Sequence, residues 1–355
     1  MNVHFGIAPW ALDESGSTAA LEPLAAQAEL ADRLGFHSLW LPESHFQARG
    51  SNPAPLLLLA AMAARTAQIR LATTSYLLTI RHPLLVAEEV AVLDRLSGGR
   101  VILGVGRGFR AGLFEAFDVP RASKRDRFEA ALETMVQAWG GRSIRPHTAG
   151  EEPDPDPLRL SPEPLQNPHP PIWVAAFGPK ALAQAGRLGL PYLASPIEPL
   201  TRLIENYARH REAAPDSLPY EALPVPIMRT IFVTRSDAVA VRVREGLREQ
   251  ARAMASGRGF LRGVDFDEID GWALVGSPAQ VADGVEGYRE KLGVTHMVAI
   301  CAICKSQFAK VMPTYGFAMD NVVSLHQLVS NAIVLGDQTT NTTAHTNTNL
   351  EIPAR

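Results

Sequence analysis

Four short stretches of this chain combine side chains and backbone suited to chemistry. The apolar run Val101–Val105 ends in Gly106-Arg107-Gly108. Glycine on both sides lets the backbone approach a ligand closely, and the guanidinium between them is a rigid fork of donors matched to a phosphate. The turn Ala176-Phe177-Gly178-Pro179-Lys180 passes from an apolar run into a helical pattern. Amides at such a helix start, with Lys180 beside them, make a second anion site. Glu43-Ser44-His45-Phe46 follows another apolar run, so a carboxylate, a hydroxyl and an imidazole reach one strand-to-loop turn, the set needed for proton transfer. Thr73-Thr74-Ser75 places three hydroxyls in a row ahead of Arg81-His82-Pro83, the edge of a polar pocket. Each stretch also has a purely structural reading. Arg107 fits an exposed turn, Glu43 a partner arginine with His45 buried and hydrogen-bonded, and the threonines an ordinary β-branched strand.

Other chemistries find less support. No Gly-x-Gly-x-x-Gly opens a helix ahead of a downstream acid, which argues against a Rossmann nicotinamide site. No Ser-His-Asp pattern and no metal-ligand cluster occurs, so no metal is expected. Cys301 and Cys304 form a single C-x-x-C without the second pair that zinc would need. They read as packed thiols in a reducing cytoplasm.

These stretches need a scaffold that brings strand ends together. Apolar runs alternate with helical patterns: strands at Val3–Ala8, Ser38–Leu41, within Ile69–Leu78, and at Val101–Val105, Ile172–Ala176, Tyr192–Ala194, Ile227–Val233 and Thr295–Ile300. Helical patterns lie between them, including Pro55–Arg65, Pro83–Leu96 and Pro199–Arg211. Eight such units predict an α/β fold, a (β/α)8 TIM barrel, over an open doubly wound sheet. All four stretches then sit at the carboxyl ends of strands, where barrels build their sites. Two insertions interrupt the pattern, 142–171 with nine prolines before strand five and the glycine-rich 255–277 after strand seven. Both read as covers for the barrel mouth. One domain is expected over 1–335, followed by a disordered Thr- and Asn-rich tail, 336–355.

The net charge of −3, from 37 acidic and 34 basic residues, gives no case for nucleic acid or an anionic membrane. The opening residues lack the pattern of a signal peptide. The longest apolar run, Pro55–Ala64, is far shorter than the ~20 residues that span a bilayer. A cytoplasmic location is expected.

Taken in order, Leu34 through Phe46, His82 through Val90, Asp94 through Gly108, the Pro-Pro-Ile-Trp-Val run at 170–174 and Gly276 through Val281 resemble the bacterial luciferase-like flavin monooxygenases over roughly residues 1–320. The resemblance implies a TIM barrel that holds reduced FMN, or a reduced deazaflavin, in its mouth. The phosphate would lie on Arg107, flanked by Gly106 and Gly108, and on the turn at Ala176, Phe177, Gly178 and Lys180. The ring would rest on Thr73, Thr74 and Ser75, with a non-proline cis peptide near Thr74-Ser75. His45 would be the acid–base group, with Glu43 and Ser44 orienting it or the substrate. The chain departs from luciferase itself at Ser44, where luciferase has histidine, and at Gly106, where it has a reactive cysteine. That argues against light emission and a long-chain aldehyde. The implied activity is that of a two-component monooxygenase: a separate flavin reductase supplies reduced FMN, O2 adds to it, and the flavin hydroperoxide, kept from water, oxygenates a small molecule. The rival readings are a deazaflavin-dependent dehydrogenase or reductase and a non-catalytic flavin-binding protein. A homodimer is also implied, packed through the helices after strands two and three, with Leu56–Leu59 as contacts.

Overall fold

The structure, a computed structural model, describes residues 3–8, 21–46, 51–144, 156–255 and 269–300. Its elements in chain order are β1 (His4–Ala8), α1 (Leu21–Arg33), β2 (Ser38–Leu41), α2 (Pro55–Ala63), β3 (Arg70–Thr73), β4 (Tyr76–Leu77), α3 (Pro83–Leu96), β5 (Val101–Gly106), α4 (Ala111–Ala116) and α5 (Lys124–Trp139). They continue with β6 (Ile172–Ala175), α6 (Pro179–Arg187), β7 (Tyr192–Leu193), α7 (Leu200–Glu212), β8 (Pro226–Val233), α8 (Asp237–Ala255), β9 (Ala273–Gly276), α9 (Pro278–Leu292) and β10 (His296–Ile300). Local chemistry sets several boundaries. Prolines occupy the first turns of α2, α3, α6 and α9, where a missing N–H costs nothing. A capping box joins Ser277 and Gln280 at the start of α9, and left-handed Gly293 ends it.

All ladders are parallel, in the order β7-β6-β5-β3-β2-β1-β10-β8. The ring closes between its end members: Ala194, just past β7, bridges to Ile227 of β8. Its amide donates to the Pro226 carbonyl, and its own carbonyl accepts from the Met228 amide. The expected eight barrel strands are therefore present as a closed parallel sheet, with the helices packed around it. Two shells of core result. The larger lies between strands and helices, while a smaller one fills the barrel lumen with Ala8, Trp40, Ala72, Ile102, Trp173, Leu193, Met228, Val298 and Ile300. Trp40 and Trp173 stack there, 5.1 Å between ring centroids. Glycine makes this layer possible: a Cβ on Gly104 would stand 1.9 Å from the Thr73 carbonyl oxygen. The lumen is thus a plugged floor beneath the strand ends.

Three expectations change. The segment 156–171 does not cover the mouth. Asp94, fully buried at the end of α3, accepts from the amides of Leu165 and Gln166 and from the Gln166 side chain. Gln166 in turn bonds Arg70 and the Val101 carbonyl, at the starts of β3 and β5. A link from the end of a helix to the start of a strand must run along the amino-terminal face, away from the site. The second insertion ends in a strand rather than a loop: β9 pairs with Thr230–Val233 of β8, and Trp272 and Ile269 join Phe232 and α8 in a satellite core. Its residues 256–268 lie outside the described residues, as do Cys301, Cys304, the expected domain end at 335 and the tail 336–355. Finally, Leu56 and Leu59 are core residues, whereas Leu57 faces outward. No described helix is long and apolar enough to cross a membrane.

Candidate active site

The carboxyl ends of the strands surround a cavity of about 1030 Å³. Its floor and apolar wall come from Ala8, Leu77, Leu193, Met228 and Ile300, the lumen plug and its immediate surroundings. Of the residues singled out in the sequence, Glu43, Ser44, His45, Thr74, Ser75, Gly106, Arg107, Gly108, Phe177 and Lys180 line it. Three do not. Thr73 is buried in the wall, its hydroxyl donating to the Gly104 carbonyl across the β3–β5 ladder, 2.8 Å. Ala176 packs into the outer core. Gly178 stands just outside as the left-handed N-cap of α6, φ 79°.

The wall after β2 is an ordered hydrogen-bonded array. Glu43 Oε1 lies 2.6 Å from His45 Nε2 and accepts from Arg81 Nη1 at 2.7 Å, while Oε2 accepts from the Leu77 amide at 3.0 Å. The Glu43 side chain is wholly buried. A carboxylate only accepts, so Nε2 of His45 carries the hydrogen and Nδ1 remains as the atom that gives or takes a proton. Arg81 is held by the Leu77 carbonyl and by stacking on Tyr76, 4.1 Å from the ring centroid. The arginine partner for Glu43 and the buried, hydrogen-bonded His45 of the structural reading are both present, and the same carboxylate oxygen contacts Arg81 and His45. The Ser44 hydroxyl accepts from the Asn52 amide, 3.0 Å, which ties the loop to its return.

Across the cavity, the peptide Thr74–Ser75 is cis, at the place implied by the sequence resemblance. Thr74 Oγ1 lies 3.2 Å from Met228 Sδ. Ser75 explains Gly106: a Cβ there would stand 2.2 Å from Ser75 Oγ and 3.0 Å from its Cβ.

The third wall is basic. Arg107 leaves β5 between Gly106 and left-handed Gly108 (φ 71°) and donates to the Gln184 side chain of α6, 3.0 Å. Gln184 also bonds the Arg125 carbonyl and Glu129, fixing α6 to α5. Burial, then the nearby charge of Arg125, pulls the Arg107 guanidinium down to about 10. Lys124 is lowered by burial and by Arg107, Arg121 and Arg125. Arg110, Arg121, Lys124 and Arg125 all line the cavity and were missed in the sequence. A signal was present: Lys124 and Arg125 occupy the first turn of α5, where the helix dipole disfavours cations. Among the described residues Glu43 is the one carboxylate lining the cavity, and no group of histidines, cysteines and acids is arranged to hold a metal ion.

The family model for luciferase-like monooxygenases matches residues 3–296. The chain belongs to this family. Among curated proteins, this luciferase-like monooxygenase is 34% identical to protein y4wF of Sinorhizobium fredii over 63% of its own length and 66% of that protein's. It is 28% identical to the oxygenase component of the flavin-dependent trigonelline monooxygenase of Acinetobacter baylyi (59% and 58% of the two chains). To the F420-dependent hydroxymycolic acid dehydrogenase of Mycobacterium tuberculosis it is 34% identical, over 48% of each chain. The chain thus spans about half to two thirds of the length of these three curated relatives. Among solved structures, monooxygenase RslO1 of Streptomyces bottropensis superposes with a TM-score of 0.76 at 26% identity, covering 94% of this chain and all of the other.

Proposed function

We propose that this protein is the oxygenase component of a cytoplasmic two-component system that uses reduced FMN, delivered by a separate reductase, and O2 to oxygenate a small organic substrate. The observation that carries this reading is the pairing, in one cavity, of a buried proton-transfer array with a basic wall that ends in Arg107. The donor set fits a flavin phosphate. Arg107, Arg125 and Lys180 supply charge-assisted donors, and the amino terminus of α6 supplies its dipole. Gly106 and Gly108 leave room for the group to approach the backbone. At about 1030 Å³, the cavity is at the top of the range typical for one ligand, with space for a flavin and a substrate together.

Reduced FMN, when bound, would supply the two electrons that activate O2, one oxygen of which enters the substrate while the other leaves as water. The chain supplies the rest. Leu77, Leu193, Met228 and Ile300 exclude water from the reaction volume. His45 Nδ1 exchanges the proton that accompanies oxygen transfer, and Glu43 keeps the imidazole in the matching tautomer. Ser44 and Ser75 offer hydroxyls to the substrate or ring. Leu57, Leu85, Val92 and Leu96 are exposed along α2 and α3, and we assign that face to a homodimer contact.

The test is an anaerobic titration with reduced FMN and, separately, with reduced F420, each followed by mixing with oxygenated buffer. Binding of FMN with a transient that precedes oxidised flavin by seconds is the expected result. Preference for F420 with no oxygen reaction would replace this reading with the dehydrogenase one. Flavin binding without any reaction would make the protein a flavin carrier.

A further inference from the structure

The basic wall carries more charge than one flavin phosphate uses. Among the described residues six cations line the cavity, Arg107, Arg110, Arg121, Lys124, Arg125 and Lys180, against the single carboxylate Glu43. That carboxylate is already matched by Arg81 on the far wall. A phosphate monoester carries about −1.5 to −2 near neutral pH, so about four positive charges are left over. The excess is local, because the whole chain is net negative at −3. None of Arg110, Arg121, Lys124, Arg125 and Lys180 forms an ion pair among the described residues. Like charges held together in this way are mutually destabilising unless an anion joins them.

The cations also divide by place. Arg107 and Arg125 are each other's electrostatic neighbours and are linked through Gln184 to α6, the helix that bears Lys180. Arg110 is the residue that precedes the first turn of α4, and Arg121 reaches both the cavity and an adjoining shallow depression that it shares with Ala111, Glu115 and Asp118. Lys124 lies between the two groups.

We propose a second anion subsite, formed by Arg110, Arg121 and Lys124 on the connection between β5 and α5, that recognises an anionic group of the substrate. The substrate class is therefore an organic anion bearing a carboxylate, phosphate or sulfonate remote from the carbon that is oxygenated. This assignment rests on the flavin reading, which places Arg107, Arg125 and Lys180 on the cofactor phosphate.

The test uses inorganic pyrophosphate as probe, titrated calorimetrically into the full-length protein saturated anaerobically with reduced FMN. One equivalent binds and the flavin spectrum shows no release. In the folded double variant Arg110→Gln/Arg121→Gln, pyrophosphate affinity falls ~10-fold or more while FMN affinity changes less than about threefold; Arg107→Gln shows the reverse. Expulsion of FMN mole for mole, no pyrophosphate binding, or an FMN loss in the double variant equal to that of Arg107→Gln would overturn the second subsite. If reduced FMN itself fails to bind the wild type, the flavin reading falls separately. Pyrophosphate is then titrated into the flavin-free protein, where two binding events support two subsites and one refutes them. A double variant that binds FMN normally but loses F420 would assign the extra charge to a cofactor tail and overturn the substrate assignment.

Discussion

Glu43 is engaged at both oxygens: Oε1 serves His45 and Arg81, and Oε2 serves the Leu77 amide. In the proposed reaction it acts through His45. His45→Ala is expected to lower turnover ~10²–10⁴-fold, with reduced-FMN affinity held within about threefold. Glu43→Gln is expected to lower kcat with little change in KM, because Gln at this site presents the wrong hydrogen to Nε2 and leaves Arg81 half-paired. Steady-state kinetics beside a flavin titration check both, and wild-type kcat in His45→Ala would remove the imidazole from the chemistry. At this scale the sequence was informative where function and backbone signal coincide, as at Gly106-Arg107-Gly108 and Glu43-Ser44-His45. It gave no sign of Arg110 and Arg121, and only the unfavourable helix-start placement of Lys124 and Arg125, because a run of cations looks much the same in solvent as it does at a cavity rim. Thr73 shows the opposite failure, since strand alternation turns its hydroxyl into the wall while its neighbours face the cavity.

Among the elements, helices α2 and α3 depart most from what a closed barrel requires. Their inner faces are buried by Leu56, Leu59, Val86 and Val90, yet Leu57, Leu85 and Leu96 are more than half exposed. An apolar face on adjacent helices is costly in water. The wild type is expected to sediment as a dimer at micromolar concentration, and Leu57→Glu/Leu96→Glu as a folded monomer. A monomeric wild type would refute the contact. All eight barrel strands were legible because each is a short apolar run between helical patterns. Of the insertion at 142–171, residues 145–155 lie outside the described residues; the described stretch 156–171 was misplaced, although the direction of travel from α5 to β6 already assigned it to the amino-terminal face. The pairing of β9 with β8 joins residues 43 positions apart, such as Thr230 and Ala273, which local periodicity does not report.

At the scale of the whole molecule, ring closure gathers residues that sequence keeps far apart. His4 and His296 are register partners where β1 meets β10, and His37 enters beside them, with ring centroids 4.7–5.0 Å apart. Burial, then the charges of His4 and Arg70, lowers His37 to about 4. Burial, then His37, His4 and Arg70, lowers His296 to about 3. Both groups are neutral in the folded and unfolded chain well above pH 6.5, so stability is full there. Below 6.5 the unfolded chain takes up protons that the folded one excludes, and stability falls as pH drops towards 4 for His37 and 3 for His296. The slope is ~1 kcal/mol per pH unit for each histidine after solvent screening. Urea unfolding at pH 7 and pH 5 should show a loss of about 2–3 kcal/mol, reduced in His296→Gln. Equal stability at the two pH values would refute the assignment.

The contact between Gly106 and Ser75 also constrains the history of the site. A side chain at 106 meets the Ser75 hydroxyl and then its Cβ, so position 106 is not free to grow while Ser75 stays in place. Installing a cysteine at 106, the residue luciferase resembles there, passes through a crowded intermediate unless position 75 has first become smaller. What position 106 tolerates is thus set by the residue at 75.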